Sequence, residues 1–244
     1  MKYFTGDLHI HTCLSPCAEL EMSPLTIVEK SLEKGLDVIA VCDHNSAENV
    51  GAVLRAGRER GLHVLPGLEI NSIEEVHTLA IFDTEKQART MQEIIYSHLT
   101  GSNDPEIFGD QIIANELDEV EGVNDRLLIG SAQLRLDDVV REVRRLGGLS
   151  IASHVDRPSY SVLSQLGFIP VDLELDAVEV SYRVKTDFFV GRAHEIRGLP
   201  VITSSDAHYP ADIGRVSTAF YMETPDVKEI RMAFRAEAGR RVVH

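Results

Sequence analysis

The chain of 244 residues is long enough for one α/β barrel domain, a fold that often needs about 250 residues. Hydrophobic residues make up 43% and charged residues 26%, without a long apolar run, so we expect a soluble globular protein that is not exported and enters no membrane. The net charge is −15, from 24 basic and 39 acidic residues, and no lysine or arginine stripe offers a surface to extended duplex nucleic acid.

Apolar runs alternate with segments of helical period along most of the chain. A strand over 3–10 precedes a helix over 25–33, which follows Ser23-Pro24, a cap with proline at the first helical position. The pattern then predicts strands over 37–42, 63–70, 77–82, 149–153, 177–181 and 200–204, and helices over 50–60, 84–98, 136–146, 185–196 and 227–238. Repeated strand–helix units predict a parallel sheet that closes, or nearly closes, into a barrel.

The segment over 101–133 interrupts this alternation. It contains Asn103-Asp104-Pro105, Gly109-Asp110 and an acidic run over 116–121, and it is longer than a usual connection. We therefore expect a single domain over 1–244 with an insertion at 101–133. The insertion is either a small subdomain or a lid over the site, or else a solvated decoration.

Four histidine-bearing segments each follow a predicted strand. They are Asp7-Leu8-His9-Ile10-His11, Val41-Cys42-Asp43-His44, Ala152-Ser153-His154 and Ser205-Asp206-Ala207-His208. Parallel strands bring their carboxyl ends to one side of a barrel, so these side chains converge there. Side chains two apart in a strand point the same way, which gives His9 and His11 a common face. Imidazoles mixed with carboxylates predict a cluster of zinc, manganese or iron ions.

The chain resembles the PHP family of metal-dependent phosphoesterases, named for polymerase and histidinol phosphatase, over nearly its whole length. The motifs that carry the resemblance are Asp7-Leu8-His9-Ile10-His11-Thr12, Cys42-Asp43-His44, Pro66-Gly67-Leu68-Glu69-Ile70 and Ser204-Ser205-Asp206-Ala207-His208. The resemblance implies a distorted (β/α)7 barrel of the TIM-like kind. It also implies two or three divalent metal ions at the carboxyl ends of the strands.

The resemblance also implies how the ligands divide among the ions. The first ion would take His9, His11, Glu69 and Asp206; the second would share Glu69 as a bridge and add His77 and His154. Independently, Glu69 ends an apolar strand where an unpaired carboxylate is costly to bury, and Gly67 would let the backbone pass close to the ions. The alternative for His77, which opens the strand over 77–82, is a half-exposed strand residue.

A third ion would use His44 and His208 with one ligand from the loop after the first strand. Many relatives place aspartate or histidine there, whereas this chain has Cys17, with Glu19 beyond it. Either side chain could supply the ligand, because a thiolate binds zinc and a carboxylate could reach inward. The alternative is a third position that is only partly filled.

Two arginines are candidates for substrate binding. Arg157 follows His154, and Arg183 follows the strand over 177–181. A guanidinium can clamp two phosphate oxygens, although each arginine could instead pair with a nearby acid such as Asp156. We name Arg157, Asp206 and His208 as catalytic candidates, Asp206 as a possible proton relay.

The expected function is hydrolysis of a phosphate monoester or short phosphodiester by a hydroxide held between two ions. The expected partner is a small phosphorylated molecule such as a mononucleotide or sugar phosphate, without extended duplex nucleic acid. Three cysteines that form no spaced framework favour a reducing cytoplasm. The sequence leaves the oligomeric state open.

Three alternative functions remain. The first is an exonuclease or oligonucleotide phosphodiesterase, disfavoured by the acidic charge and by an aromatic fraction of 6%, which offers few stacking platforms. The second is an amidohydrolase-like enzyme that acts on C–N bonds, which normally needs a carboxylated lysine at a strand end, where this chain has none. The third is a metal-binding regulatory module without catalysis, which would be expected to have lost ligands.

Overall fold

A computed structural model describes residues 1–184, 189 and 191–243. Its strands, in chain order, are β1 (Lys2–Ile10), β2 (Val38–Val41), β3 (His63–Asn71), β4 (His77–Ile81), β5 (Ile112–Ala114), β6 (Val120–Val123), β7 (Leu149–Ala152), β8 (Ala177–Val180), β9 (Val201–Thr203), β10 (Thr218–Met222) and β11 (Arg241–Val243). Nine of these strands form one sheet, in the order β11-β10-β1-β2-β3-β4-β7-β8-β9. Beyond β9, the backbone N–H of His11 donates to the carbonyl of Ala207 at 3.0 Å, which brings the chain after β9 against the end of β1 and nearly closes the sheet. The predicted barrel-like α/β fold is confirmed.

The helices pack outside this sheet. They are α1 (Pro24–Glu33), α2 (Val50–Arg60), α3 (Glu85–Tyr96), α4 (Pro105–Phe108), α5 (Leu136–Arg145), α6 (Val162–Leu166) and α7 (Val227–Phe234). Alternate residues of β2 show how both faces of the sheet are buried: Ile39 and Val41 pack in the cluster that includes α1, α2 and α3, whereas Val38 and Ala40 pack in the cluster that includes α7. A strand covered on both faces reads as a continuous apolar run, which is why the sequence pattern found it.

The prediction of a parallel sheet is wrong for β4, and β10, which the sequence pattern did not predict, is antiparallel as well. β4 runs against both of its neighbours, β3 and β7, and β10 runs against β1. The connection between β3 and β4 is short, and the backbone N–H of Ser72 donates to the carbonyl of Val76 at 3.1 Å. Because β4 is antiparallel, its first residue, His77, lies beside Asn71 at the end of the barrel where β3 finishes.

Other differences concern short elements. The sequence pattern did not predict α4, α6, β5, β6, β10 or β11, most of which are too short to show a clear period. The helix predicted over 185–196 lies partly outside the described residues, and residues 191–196 form turns. Among the described residues, no helix has the length and apolarity needed to cross a membrane.

Gly67 in β3 has a packing role. A Cβ at this position would lie 2.8 Å from Sγ of Cys42, 3.0 Å from the carbonyl oxygen of Ala80 and 3.1 Å from that of Val41. The neighbouring strands β2 and β4 therefore require glycine here, and the expectation that Gly67 serves close approach to the ions is not needed.

Candidate metal centre

Glu69 is the centre of the site, at the carboxyl ends of the strands. Its Oε1 lies 3.1 Å from Nδ1 of His77, 3.3 Å from Nε2 of His154 and 3.4 Å from Nε2 of His9. Its Oε2 lies 3.2 Å from Nδ1 of His44 and 3.5 Å from Nε2 of His11. One buried carboxylate thus faces five imidazoles, an arrangement that suits a bridging ligand.

The tautomers of His9 and His11 follow from their hydrogen bonds. Nδ1 of His9 donates to the carboxylate of Glu179. Nδ1 of His11 lies 3.0 Å from Oγ of Ser15, and that hydroxyl donates its own hydrogen to Asp43 at 2.7 Å, so His11 is the donor. In each imidazole, Nε2 is therefore the nitrogen left for a metal ion or a further proton, and the two Nε2 atoms lie 3.1 Å apart.

Two bare lone pairs at that distance repel each other, so a proton or a metal cation must lie between them. The carboxylate of Asp206 is also close, with Oδ1 3.2 Å from Nε2 of His11 and 3.4 Å from Nε2 of His9. Two further buried atoms, Oε1 of Glu69 and Nδ1 of His77, make no hydrogen bond. The residues present therefore fit divalent metal ions, whose positive charge would satisfy these lone pairs.

The potential ligand atoms form three groups, in each of which the atoms lie within 4.8 Å of one another. The groups are His9, His11, Glu69 and Asp206; His44, Glu69 and His77; and His11, His44 and His208. The first group matches the predicted ligands of the first ion. In the second, His44 joins Glu69 and His77, while the predicted ligand His154 contacts the same oxygen of Glu69, Oε1, as His77 does.

Cys17 and Glu19 belong to none of these groups of described residues, and both side chains are exposed. The loop that carries them nevertheless passes the site, because the backbone N–H of Glu19 donates to the carbonyl of His208 at 2.9 Å. Although Cys17 is accessible, desolvation by the surrounding protein and then the charges of Glu69 and Asp206 raise the pKa of its thiol to about 12. The third-site ligand stays a prediction.

The protonation states also suit metal binding. Burial, followed by the neighbouring His208, lowers the pKa of His11 to about 3, and burial lowers the pKa of His44. Burial opposes ionisation of Glu69, but His77 and His9 outweigh it and hold the pKa of Glu69 well below its usual value. Burial opposes protonation of His9, but Glu179, Glu69 and Asp206 outweigh it and raise the pKa of His9 well above its usual value, so a bound metal ion would displace that proton. Neutral His11 and His44 beside an ionised Glu69 are the forms that coordinate a cation.

Three buried carboxylates support the ligands. Asp7 accepts from the backbone N–H of Ser205 at 2.9 Å and from that of Gly214 at 3.0 Å, and burial raises its pKa to about 6. Asp43 accepts from the backbone and hydroxyl of Thr12 and from Ser15. The third, Glu179 in β8, was missed by sequence reasoning. In the sequence, Glu179 is recognisable as a single carboxylate inside the apolar run over 177–180.

Backbone conformation is unusual at the same place. His154, with a φ of 29°, and Asp206, with a φ of 50°, adopt the left-handed region that favours glycine. Asn45 and Tyr160 adopt it as well, with φ values of 53° and 56°. Such backbone costs of order 1–3 kcal/mol per residue, and it concentrates where function requires a special side-chain direction.

A cavity of about 140 Å³ opens between these groups to solvent. It is lined by His44, Glu69, His77, Ile129, His154, Arg157, Tyr160, Asp206 and His208. Ile129 belongs to the segment over 101–133, which therefore reaches the site. The ring of Tyr160, 43% exposed, stacks on His77 with the ring centres 4.7 Å apart.

Arg157 and Arg183 differ in their placement. Nη2 of Arg157 pairs with Oδ2 of Asp206, and its buried Nε has no hydrogen-bond partner. The alternative pairing with Asp156 does not form, because that carboxylate accepts from the backbone and hydroxyl of Ser181, both at 2.6 Å. Arg183 lies on the exposed surface beside Tyr182, outside the cavity lining.

Comparison with known proteins agrees with this site. A family model described as PHP domain matches residues 7–134, more than half of the chain, and a model described as PHP-associated matches residues 190–238. The chain belongs to the PHP domain family. Membership confirms the resemblance drawn from the motifs, and the grouped histidines and carboxylates fit the metal binding that the resemblance implied.

Individual relatives are distant. The Bacillus subtilis protein YqxK is 22% identical over 275 residues, covering 100% of this chain and 65% of YqxK. The lesion-specific endonuclease Q of Pyrococcus furiosus has a TM-score of 0.71 at 20% identity, covering 98% of this chain and 57% of that one. A proposed metal-dependent phosphoesterase of Bifidobacterium adolescentis has a TM-score of 0.58 at 20% identity, covering 83% and 87%. The chain thus spans less than two thirds of the length of YqxK and of endonuclease Q.

One prediction is overturned by these likenesses. Endonuclease Q is also solved in complex with a 27-mer duplex that has an abasic lesion at the active site, and that structure matches with a TM-score of 0.70. The prediction of a small phosphorylated partner without extended duplex is therefore wrong, because a protein with this fold acts on duplex DNA. Net charge and aromatic fraction are averages over the whole chain, and they do not describe the surface beside the site.

Proposed function

We propose that the chain is a metal-dependent phosphodiesterase that cleaves nucleic acid strands. The observation that carries the proposal is the size of the cavity. At about 140 Å³ it is smaller than the roughly 300–1,000 Å³ of pockets that enclose whole small molecules. A phosphate group fits such a cavity, whereas sugars and bases must lie outside it, which favours a long strand that crosses the mouth.

The surroundings of the mouth support a strand as the substrate. Tyr160 is 43% exposed at the cavity wall, and Tyr209, which directly follows His208, is 47% exposed. Exposed aromatic rings offer stacking surfaces for bases. The likeness of fold to endonuclease Q points in the same direction, although at 20% identity it bears on the fold alone.

The ligand set of this proposal combines the predicted and the observed groups. It consists of His9, His11, His44, Glu69, His77, His154, Asp206 and His208, with zinc, manganese or iron as the metal. When bound, such ions supply Lewis acidity for the phosphoryl group and lower the pKa of water to about 7. Glu69 holds the set together because both of its oxygens face imidazoles.

Arg157, Asp206 and His208 have separate tasks. Asp206 holds one nitrogen of the Arg157 guanidinium, so the remaining N–H groups are positioned to donate to phosphate oxygens and to stabilise developing charge. Burial opposes ionisation of Asp206, but His9 and His11 outweigh it and lower its pKa, which makes Asp206 a weak base. Nδ1 of His208 donates to the carbonyl of Asp206 at 2.9 Å, so its Nε2 keeps a lone pair for a metal or a proton.

The test uses end-labelled substrates and protein reconstituted with zinc, manganese or iron. The substrates are single-stranded DNA, duplex DNA, the same duplex with one abasic site, single-stranded RNA and an aryl phosphate. We expect metal-dependent cleavage of at least one oligonucleotide, abolished by chelation and by Asp206→Asn. Hydrolysis of the aryl phosphate alone, with every oligonucleotide intact, would overturn the proposal.

A further inference from the structure

A cluster of one tyrosine and two arginines lies next to the cavity, outside its lining. Tyr182 is half-buried, and the guanidinium of Arg215 lies over its ring, 3.5 Å from the ring centre. The guanidinium of Arg183 lies 5.7 Å from the same ring centre, and both arginines are exposed. We call Tyr182, Arg183 and Arg215 the Arg–Tyr rim.

Hydrogen bonds fix the position of the rim beside the catalytic groups. Asp156 binds the backbone and the hydroxyl of Ser181, which directly precedes Tyr182. The residue after Asp156 is Arg157, whose guanidinium pairs with Asp206 in the cavity. The contact between Asp156 and Ser181 therefore holds two segments together: Arg157 directly follows Asp156, and Tyr182 of the rim directly follows Ser181.

Electrostatics agrees with this placement. The neighbouring Arg183, followed by the positive charges of Arg215 and Arg157, lowers the pKa of Tyr182. Three guanidinium groups therefore act on one phenol, in a chain whose net charge is −15. Asp212 pairs with one nitrogen of Arg215 at 3.0 Å, which leaves the other donors of that guanidinium available. Guanidinium donors are therefore grouped at this place although the whole chain is acidic.

We infer that the Arg–Tyr rim binds the nucleic acid strand next to the scissile phosphate, an inference that rests on the proposed nuclease function. Arg215 covers one face of the Tyr182 ring, and the exposed part of the ring offers a surface for a base. Arg183 and Arg215 contact backbone phosphates on either side of that base. Stacking on aromatic rings combined with arginine contacts is the general way in which proteins hold single strands.

The rim predicts two separable effects on binding. Loss of the ring in Tyr182→Ala weakens binding at least about fivefold, with the salt dependence unchanged, because stacking does not displace counterions. Removal of a charge in Arg183→Ala or Arg215→Ala weakens binding and lowers the slope of log affinity against log salt by about 0.7 for each phosphate that is no longer neutralised. Tyr182→Phe keeps the ring and retains affinity. If these residues supported only the fold, the tyrosine and arginine variants would not differ in the salt dependence of binding.

A matched control pair exists at the opposite end of the barrel. The guanidinium of Arg241 lies 4.6 Å from the ring centre of Tyr221, whose strand pairs with the beginning of β1 rather than its end. Arg241→Ala removes the same charge from a similar arginine–tyrosine pair that is remote from the site. It therefore reports the non-specific effect of lowering the net charge, and we expect less than a twofold change.

The experiment measures fluorescence anisotropy of a labelled single-stranded oligonucleotide with the metal-loaded protein over a range of salt concentrations. Gel analysis of the same samples reports cleavage, so failure of the nuclease proposal is seen as wild-type binding without cleavage. Affinity losses in the rim variants that exceed those in Arg241→Ala, with the expected salt slopes, support the rim whether or not cleavage occurs. Rim variants that bind like the wild type, or a wild type that binds no oligonucleotide, overturn it.

Discussion

Glu179 holds His9 in a fixed orientation beneath the candidate metal centre. Both of its carboxylate oxygens lie 3.1 Å from Nδ1 of His9, in a part of β8 that is closed to solvent. The same carboxylate accepts from the backbone N–H of His154 at 3.2 Å. A carboxylate behind an imidazole fixes the tautomer and makes the opposite nitrogen a better ligand. Glu179 thereby prepares Nε2 of His9 to face Glu69 and Asp206.

Glu179→Gln is expected to weaken metal binding. The amide keeps the size of the side chain and can still accept the N–H of His154, but it removes the negative charge that supports His9. Loss of such a partner typically lowers metal affinity about 10–100-fold. Competition with a chromogenic chelator measures the affinity of the folded variant. The control is Glu174→Gln, a surface acid paired with Arg144, which should keep wild-type affinity. Equal affinities in both variants would show that His9 does not depend on Glu179.

Arg157→Lys is expected to lower turnover at least about tenfold with metal content unchanged. Lysine keeps the charge but cannot hold Asp206 and a phosphate oxygen at the same time, and a tenfold loss corresponds to about 1.4 kcal/mol in the transition state. Steady-state kinetics on the best substrate and elemental analysis measure the two quantities. Arg241→Lys, far from the site, is the control. Unchanged kcat/KM in Arg157→Lys would remove Arg157 from the catalytic groups.

The third metal position can be tested at the two candidate ligands from the loop. Cys17 and Glu19 are exposed, and the raised pKa of Cys17 disfavours a thiolate, so we expect Cys17→Ser and Glu19→Gln to retain all their metal. His208→Ala should lose up to one equivalent, because it removes a member of the group with His11 and His44. Elemental analysis measures the metal content of the three variants. Metal loss in Cys17→Ser would mean that the loop closes over the ion.

Much of the fold could be predicted because buried strands and amphipathic helices leave strong patterns. The helix over 50–60 agrees with α2 at both ends, and Gly61, with a φ of 79°, ends it in the left-handed backbone that favours glycine. Strand direction could not be predicted, because alternation of side chains is the same in parallel and antiparallel strands. For β4 this decided the position of His77, which opens a strand yet reaches the centre.

The site could be predicted where motifs place ligands at strand ends, as for His9, His11, Glu69 and Asp206. Supporting groups were harder to find. Glu179 lies within an apolar strand, where one carboxylate carries no indication of its partner until folding brings His9 beside it. The surface next to the site was misjudged for another reason. Composition predicted few aromatic platforms, whereas folding gathers Tyr160, Tyr182 and Tyr209 around the site.

The segment over 101–133 is anchored beside the site by Asn45. Asn45, next to His44, has a φ of 53°, and its buried amide donates to the carbonyls of Leu128 and Gly130 at 2.8 and 2.7 Å. These two bonds flank Ile129, which lines the cavity. Asn45→Ala leaves two carbonyls without their donor and places alanine in left-handed backbone, so we expect a loss of stability of about 2–4 kcal/mol.

Urea denaturation measures that loss, and limited proteolysis shows whether cleavage within 101–133 becomes faster. If the anchor positions the cavity wall, Asn45→Ala also raises KM more than it lowers kcat, since Ile129 would no longer be held beside the substrate. Asn115→Ala is the matched control, because Asn115 makes its hydrogen bonds within a local turn, to Glu119 and Leu117. It should leave KM unchanged. Unaltered proteolysis and KM in Asn45→Ala would show that other contacts hold the segment in place.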